Sequence, residues 1–332
     1  MNNSTVDLAD YYNPVGYVYI VTGLGYCLPY GLCLLVMLGA EYRVHPAYKI
    51  MLFMAAFDAL AVFLGSILCG ILSVIPLPLS QHYLLMKVMG VVAGSIWFPY
   101  GFLVLVLGIN RLLELAYKPL AQLAFHGKAV YLWLLLSILL FVGVMIMYSR
   151  PCDGVVYHPG IFILAPFSLG LAIMLFFVPG PDEDPALCAS AIGLTFNQYW
   201  NYFITSAITI TYLAVAVILR LQERAVYIQC LIISLLVDVV AATYITLPYV
   251  NIPTSTLPAL TLLWMLMQGG NGIIYLLFNE SLRSDVIRLV SRKTGLKLPG
   301  GEPTLQSQAP ATSSIPLTRR LTVAPRVAPN DA

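Results

Sequence analysis

The chain has 332 residues, of which 60% are hydrophobic and only 10% charged. Soluble domains carry about 25% charged residues, so this composition excludes a soluble globular protein and indicates membrane-spanning segments. No phosphate-binding loop, dinucleotide-binding glycine triplet or nucleophile-elbow motif occurs, and the four histidines lack metal-ligand spacing. We therefore predict no enzyme, no cofactor, no metal and no nucleic-acid partner. The net charge of +2 gives little information by itself. The positions of the charged residues along the chain are informative.

Residues 1–14 are polar and acidic, and they carry two overlapping glycosylation motifs at Asn2 and Asn3. No basic segment precedes the first apolar run, so we interpret that run as a signal-anchor and not as a cleaved signal peptide. The segment is predicted to be extracellular, where Asn2 and Asn3 are candidate glycosylation sites.

Seven apolar segments are long enough to cross a hydrocarbon core of roughly 30 Å as helices. These predicted spans are Val15–Leu38, Ile50–Ile75, Val88–Ile109, Ala129–Tyr148, Tyr199–Leu219, Val226–Val250 and Leu257–Leu277. Together they predict an all-α membrane protein with a seven-helix bundle over residues 15–277.

The run Ile161–Val178 is an eighth candidate, and the distribution of basic residues decides against it. With seven spans and an extracellular amino terminus, only Lys87 and Arg150 of the 17 Lys and Arg residues fall outside the cell. An eighth crossing would place the basic carboxy-terminal segment outside, against the positive-inside rule. We therefore predict that residues 149–198 form a long second extracellular loop.

Two cysteines, Cys152 and Cys188, fall in this predicted loop. Because the extracellular space is oxidising, a disulfide between them would stabilise the loop. An eighth crossing would put the two sulfur atoms on opposite sides of the membrane, so this candidate bond also tests the topology.

The segment after the last span has two parts. Residues 278–293 place Leu282, Val286 and Leu289 on one helical face, with Arg283 and Arg288 beside it. This pattern predicts a short amphipathic eighth helix on the cytoplasmic membrane surface, in contact with lipid. Residues 294–332 are rich in Pro, Gly, Ser and Thr, and we predict a disordered cytoplasmic tail.

Only two charged residues lie well inside the predicted spans, Asp58 and Asp238. A carboxylate at that depth costs roughly 2.5–3.5 kcal/mol on insertion scales, so it normally faces the bundle interior. Asp58 is the stronger functional candidate. Arg111, at the inner end of the third span, is either a membrane-edge anchor or an arginine that exchanges partners when the sixth span moves, with Glu223 as one candidate partner.

These residues occur in an order that resembles the rhodopsin-like G-protein-coupled receptors. The matching features are Asp58, Asn110-Arg111, Trp133, Pro248, Asn271-Gly272-Ile273-Ile274-Tyr275 and the short helix after it. The chain resembles more closely the nematode serpentine chemoreceptors of class T. That resemblance covers roughly residues 11–290 and includes Tyr48-Lys49-Ile50-Met51, Asn110-Arg111-Leu112-Leu113-Glu114-Leu115, His126-Gly127-Lys128, Trp264, Gln268-Gly269, Tyr275, Asn279 and Arg283.

The chain departs from the rhodopsin-like pattern at several positions. Gly272 stands where a proline is usual, Thr246 stands where a tryptophan is usual, and Met86 and Lys87 occupy the place of the outer cysteine of the third helix. The seventh span contains no lysine, which excludes a retinal Schiff base there. The resemblance therefore does not imply the usual activation path or a sodium site beside Asp58.

The resemblance implies a plasma-membrane receptor that binds a small, largely apolar ligand from outside and signals through a heterotrimeric G protein. Arrestin and a kinase are further implied partners at the tail. The implied ligand-binding candidates are Trp97, Tyr100, Tyr202, Tyr244, Trp264 and Met265. The implied activation and coupling residues are Asp58, Asn110, Arg111, Pro248, Asn271 and Tyr275.

Two other functions stay open at this point. A small-solute transporter or channel would need a polar path through the bilayer, for which Asp58 and Asp238 are the available groups. An intramembrane enzyme would need paired catalytic groups, and the sequence offers no such pair.

Overall fold

In a computed structural model of the chain, the described residues are 14–75, 79–150, 192–219, 225–246 and 256–295, and their ordered elements are all helices. The helices are α1 (Val15–Met37), α2 (Ala40–Arg43), α3 (Pro46–Val62), α4 (Cys69–Val74), α5 (Leu79–Ala116), α6 (Lys118–Phe125), α7 (Ala129–Tyr148), α8 (Ile192–Leu219), α9 (Ala225–Thr246), α10 (Leu257–Gly269), α11 (Asn271–Phe278) and α12 (Glu280–Thr294). A π-helical segment, Phe63–Leu68, joins α3 to α4.

Five described helical segments are long and apolar enough to cross a membrane. They are Val15–Met37, Pro46–Val74, Leu84–Ala116, Ala129–Tyr148 and Thr195–Ile218. The pair α10 and α11, bent by 49° at its break, makes a sixth if it is counted as one span. The predicted sixth span corresponds to α9, whose apolar part is the shorter stretch Leu231–Thr243.

Two helices begin earlier than the apolar runs predict. Helix α5 starts at Leu79 instead of Val88, with a break in helical geometry at His82. Helix α8 starts at Ile192, so residues 192–198 are helical although they were predicted to lie in the extracellular loop. Hydropathy marks the part of a helix that crosses the hydrocarbon core, whereas the hydrogen-bonded helix continues beyond it.

Several predictions concern residues outside the described part of the chain. These are the glycosylation sites Asn2 and Asn3, the cysteines Cys152 and Cys188, the run Ile161–Val178, Pro248, Glu223 and the tail beyond residue 295. The side chain of Tyr244 also lies outside it.

The core of the bundle is formed around α5. Helices α3, α7 and α8 all pack along it, and α1 packs against α3, α4 and α11. Leu103, Val104 and Leu107 of α5 are fully buried, with Phe98 and Tyr100 one to two turns before them. Because α5 touches so many neighbours, polar groups on it are well placed to join several helices.

The π-helical segment widens the second span where it faces two neighbouring helices. A π-helix adds one residue to a turn, and such insertions are frequent at functional sites. Here Ser66 Oγ donates to the backbone oxygen of Tyr19 at 2.6 Å. A Cβ placed on Gly65 would lie 2.2 Å from Trp264 Cζ3, so glycine is what allows the indole of α10 to pack on this segment.

Helix α12 is held by side chains of α2 and of the first turn of α3. Asn279 caps the helix, since its Oδ1 accepts from Leu282 N at 3.1 Å, and its Nδ2 donates to Tyr48 Oη at 3.1 Å. The Tyr42 hydroxyl donates to the Asp285 carboxylate. Burial, together with this hydrogen bond, raises the pKa of Tyr42, so the hydroxyl stays a donor. Helix α12 covers Glu280–Thr294, and its position on a membrane surface stays a prediction.

Candidate functional site

The carboxyl group of Asp58 is the centre of a buried polar group of side chains. Asp58 lies on α3 and is fully buried. Its Oδ2 accepts hydrogen bonds from the Tyr30 hydroxyl of α1 and from Asn271 Nδ2 of α11, the second at 2.9 Å. A carboxyl group at this depth is stable only when such donors are supplied, so the sequence prediction that Asp58 faces the interior agrees with its position.

Asn271 extends this group to a fourth helix. Its Nδ2 also lies 3.0 Å from Tyr100 Oη of α5, and the Tyr100 hydroxyl donates to the Met267 backbone oxygen at 3.4 Å. Asn271 and Tyr100 are both fully buried. We call Tyr30, Asp58, Tyr100 and Asn271 the Asp58 group; it connects α1, α3, α5 and α11 through side chains.

The Asp58 group has unused hydrogen-bonding capacity. Asp58 Oδ1 and Asn271 Oδ1 are buried, and neither accepts a hydrogen bond from a described residue. Buried polar atoms without a protein partner are rare in stable proteins, and an ordered water or an ion is a common partner for them. Both oxygens can therefore accept a further hydrogen bond.

The break between α10 and α11 brings Asn271 into the Asp58 group. The two helices meet at Gly270 with a bend of 49°, although the usual proline of this motif is Gly272 here. A Cβ on Gly272 would lie 2.7 Å from Tyr30 Cα, so α11 approaches α1 more closely than any other residue would permit. The Tyr275 ring lies 6.3 Å from the Tyr30 ring. Glycine therefore supplies close packing at the position where proline is usual.

Two of the predicted coupling residues, Asn110 and Arg111, lie near the carboxy-terminal end of α5. Asn110 is fully buried, and neither of its amide atoms has a hydrogen-bond partner among the described residues. Arg111 Nη1 is 3.1 Å from Glu114 Oε2, one helical turn away. Glu114 was not predicted as a partner of Arg111, although the i, i+3 spacing is visible in the sequence.

The structure describes the side chains of five of the six predicted ligand-binding residues, all except Tyr244. Trp97 Nε1 donates to Asn201 Oδ1 of α8 at 2.6 Å, while Tyr100 belongs to the Asp58 group. Trp264 packs on Gly65. Met265 is fully buried, whereas Tyr202 is 43% exposed.

An aromatic cluster that was not predicted from the sequence lies where α5, α7 and α8 meet. The ring of Phe98 lies 5.3 Å from Phe196, 5.5 Å from Trp200 and 5.9 Å from Tyr148, measured between ring centroids. Trp200 Nε1 is buried and has no hydrogen-bond partner among the described residues. We call these four residues the Phe98 cluster. Their aromatic character was visible in the sequence, but nothing in it indicated that they meet.

Asp238, the other carboxylate within the spans, has a simpler environment. It lies on α9, is half-buried, and its Oδ2 accepts from Thr209 Oγ1 of α8 at 3.0 Å. This hydrogen bond joins two antiparallel neighbours. Within the described ranges, no three His, Cys, Asp or Glu side chains lie close enough to hold a metal ion.

Comparison with known proteins supplies the family. The family model described as "Serpentine type 7TM GPCR chemoreceptor Srt" matches residues 5–297, which is most of the chain. No curated protein matches the chain significantly. The matched region contains all the described helices and the Asp58 group. The chain therefore belongs to the Srt family of serpentine seven-transmembrane chemoreceptors and is a multi-pass membrane protein of the receptor class.

Proposed function

We propose that this protein is a chemosensory receptor that binds a small, largely apolar molecule from the extracellular side and signals through a heterotrimeric G protein. The observation that carries the proposal is the family match over residues 5–297. The plasma membrane is the location at which such a receptor would meet its ligand.

The proposed orientation has the amino terminus outside and the carboxy terminus in the cytosol. It rests on the positive-inside rule, since all eight Lys and Arg residues after residue 282 then lie in the cytosol. In this orientation α12 lies along the cytoplasmic membrane surface. Its contacts with Tyr42 and Tyr48 place it beside the loop between the first two spans, which is then cytoplasmic too.

We propose that the ligand contacts the Phe98 cluster. The orientation places Phe196, Tyr148 and Phe98 in the outer half of their helices, because α8 would then enter the membrane near Phe196 and α7 leave it near Tyr148. Aromatic walls with few polar groups suit an apolar ligand, and Trp200 Nε1 is an available donor. The Trp97–Asn201 hydrogen bond on the same pair of helices would hold α5 and α8 in register.

The Asp58 group and Arg111 are the proposed route to the cytoplasmic side. A ligand that binds one arrangement of α5 and α8 more tightly than another shifts the population toward that arrangement. Tyr100 lies half a turn from Phe98 on the same helix and contacts Asn271, so movement of α5 would change the contacts of α11. Arg111, further along α5, would exchange Glu114 for a partner in the G protein.

The experiment is agonist-dependent nucleotide exchange on a G protein by the full chain in cell membranes, after a screen of volatile and soluble chemicals. The Arg111→Ala variant is expected to reach the cell surface and to lose exchange. Arg150→Ala is the matched control, because Arg150 lies at the opposite end of the bundle and is expected to leave exchange unchanged. Exchange that persists in Arg111→Ala contradicts the role of Arg111, and no exchange with any G protein across the panel contradicts the receptor proposal.

The described contacts give no specific support to a transporter. Asp58 is hydrogen-bonded to α1 and α11, whereas Asp238 is hydrogen-bonded to Thr209 of α8, and the described hydrogen bonds do not connect the two carboxylates. A transport path would require polar groups that continue from one to the other.

A further inference from the structure

A cavity of about 410 Å³ lies where α2, α3 and α7 meet. Its volume falls within the roughly 300–1,000 Å³ typical of small-ligand sites. The side chains that line it include Arg43, Lys49, Leu52, Phe53, Tyr131 and Leu134. None of them belongs to the Asp58 group or to the Phe98 cluster, so the cavity has no part in the mechanism proposed above.

Two cations border this otherwise apolar cavity. Arg43 is exposed at the end of α2, and Lys49 lies in the first turn of α3. Neither has a carboxylate within salt-bridge distance among the described residues. The Lys49 ammonium group lies 5.1 Å from the centre of the Tyr131 ring, so a cation–π contact holds it between α3 and α7.

The apolar wall continues from these cations along the two helices. Leu52 and Phe53 follow Lys49 by one turn on α3, and Leu134 follows Tyr131 by one turn on α7. Tyr131 is 56% exposed, so the cavity opens at the surface of the bundle. A ligand that matches this arrangement has an anionic group at one end and a hydrocarbon chain at the other.

We propose that this cavity binds an anionic phospholipid of the cytoplasmic leaflet. Its headgroup, which carries a net negative charge, would lie between the Arg43 guanidinium and the Lys49 ammonium groups, and an acyl chain would pack on Leu52, Phe53 and Leu134. The guanidinium fork matches phosphate geometry, and the cytoplasmic leaflet is where anionic lipids are concentrated. A neutral sterol would fill the apolar wall and leave both cations without a counter-charge.

The assignment to the cytoplasmic leaflet rests on the orientation in the proposed function, but binding itself does not require signalling. The test is therefore native mass spectrometry of the purified full chain in detergent, without agonist or G protein. The probes are dioctanoyl phosphatidylserine and dioctanoyl phosphatidylcholine. We expect phosphatidylserine to bind about tenfold more tightly, which is below the limit of about 25-fold that two basic residues would give at about fivefold each.

The double variant R43Q/K49Q is expected to remove that preference, lowering phosphatidylserine affinity about tenfold. K118Q/K128Q is the matched control, since it removes two basic residues that the orientation places at the same membrane face but outside the cavity. The control is expected to keep its affinity within about twofold. Equal loss in both variants would mean that general surface charge binds the lipid, and it would overturn the proposal.

A second variant, Leu134→Trp, keeps both cations and fills the apolar wall. It is expected to lower phosphatidylserine binding while the protein elutes as a single species. Equal binding of the two lipids to the wild-type chain would overturn the proposal in favour of a neutral-lipid groove. If nucleotide exchange is absent but the lipid preference is retained, only the receptor function is contradicted. If tags at the two termini lie on the same membrane face, only the assignment to the cytoplasmic leaflet is contradicted.

Discussion

The two carboxylates within the membrane-spanning segments have different environments. Asp58 is fully buried and accepts hydrogen bonds from two helices, one of which carries the contact on to α5. Asp238 is half-buried and accepts one hydrogen bond, from Thr209 of the adjacent helix. The comparison indicates that depth in the membrane does not by itself make a carboxylate important for the stability of the bundle. The number of helices whose polar side chains donate to the carboxylate is more important.

The largest expected effect comes from removing the centre of the Asp58 group. Asp58→Ala leaves the Tyr30 hydroxyl without its acceptor, deprives Asn271 of one of its two, and creates a cavity. Each unsatisfied buried group costs about 1–3 kcal/mol, so we expect a total loss of about 3 kcal/mol or more. The measurement is the thermal unfolding midpoint in detergent, which should fall by roughly 4 °C or more.

Asp58→Asn is the control for this change, because its amide oxygen still accepts from Tyr30. We expect a loss of only about 1 kcal/mol for this variant. An Asp58→Ala midpoint equal to that of the wild type would contradict the view that the Asp58 group stabilises the bundle.

The next effect concerns the close approach of α11 to α1. Gly272→Ala places a methyl group 2.7 Å from Tyr30 Cα, and a backbone atom cannot move aside as a flexible side chain can. We expect a loss of about 1–3 kcal/mol in the free energy of unfolding, measured by the same thermal assay.

Gly143→Ala on α7 gives the matched control, since nothing lies within 4 Å of the added methyl group. This substitution should be neutral or stabilise by up to about 1 kcal/mol, because alanine favours a helix over glycine. Equal effects at the two glycines would contradict the packing argument.

A smaller effect is expected from a single hydroxyl of the Asp58 group. Tyr30→Phe keeps the ring beside Tyr275 and removes one of the two donors to Asp58, at a cost of about 1 kcal/mol. Combined with Asp58→Asn in a double-mutant cycle, it should show a non-additive free energy. Tyr26→Phe, one turn earlier on α1, should have no such coupling, since Tyr26 packs on Gly269 by its ring.

The existence of the spans could be predicted from the sequence, because about 20 apolar residues are needed to cross the hydrocarbon core. The irregular parts could not. Neither the π-helical segment Phe63–Leu68 nor the break at Gly270 contains a proline, and hydropathy does not report helical geometry. The early start of α8 was missed for the same reason, since its first turns lie outside the strongly apolar run.

The candidate site could be predicted in part. Asp58 and Asn271 stood out because a carboxylate is rare within a span and because the motif around Asn271 resembles a known one. Tyr30 did not stand out, since the chain has 21 tyrosines and the sequence does not show which of them contacts Asp58. Tyr30 lies 28 positions before Asp58, and the two meet only in the folded chain. The Phe98 cluster was missed because the contacts of Phe98 with α7 and α8 depend on tertiary packing.

The smallest effect is expected at Asp238. The Asp238 variant gives the most direct comparison with Asp58. Asp238→Asn keeps an oxygen that can accept from Thr209, and this is the one side-chain hydrogen bond that the described residues make to the Asp238 carboxylate, so little is lost with its charge. We expect a change of less than about 0.5 kcal/mol, against about 1 kcal/mol for Asp58→Asn. The two variants make the same chemical change, so the thermal assay compares the environments alone. A larger loss at Asp238 than at Asp58 would mean that contacts between α8 and α9, and not the Asp58 group, hold the bundle together.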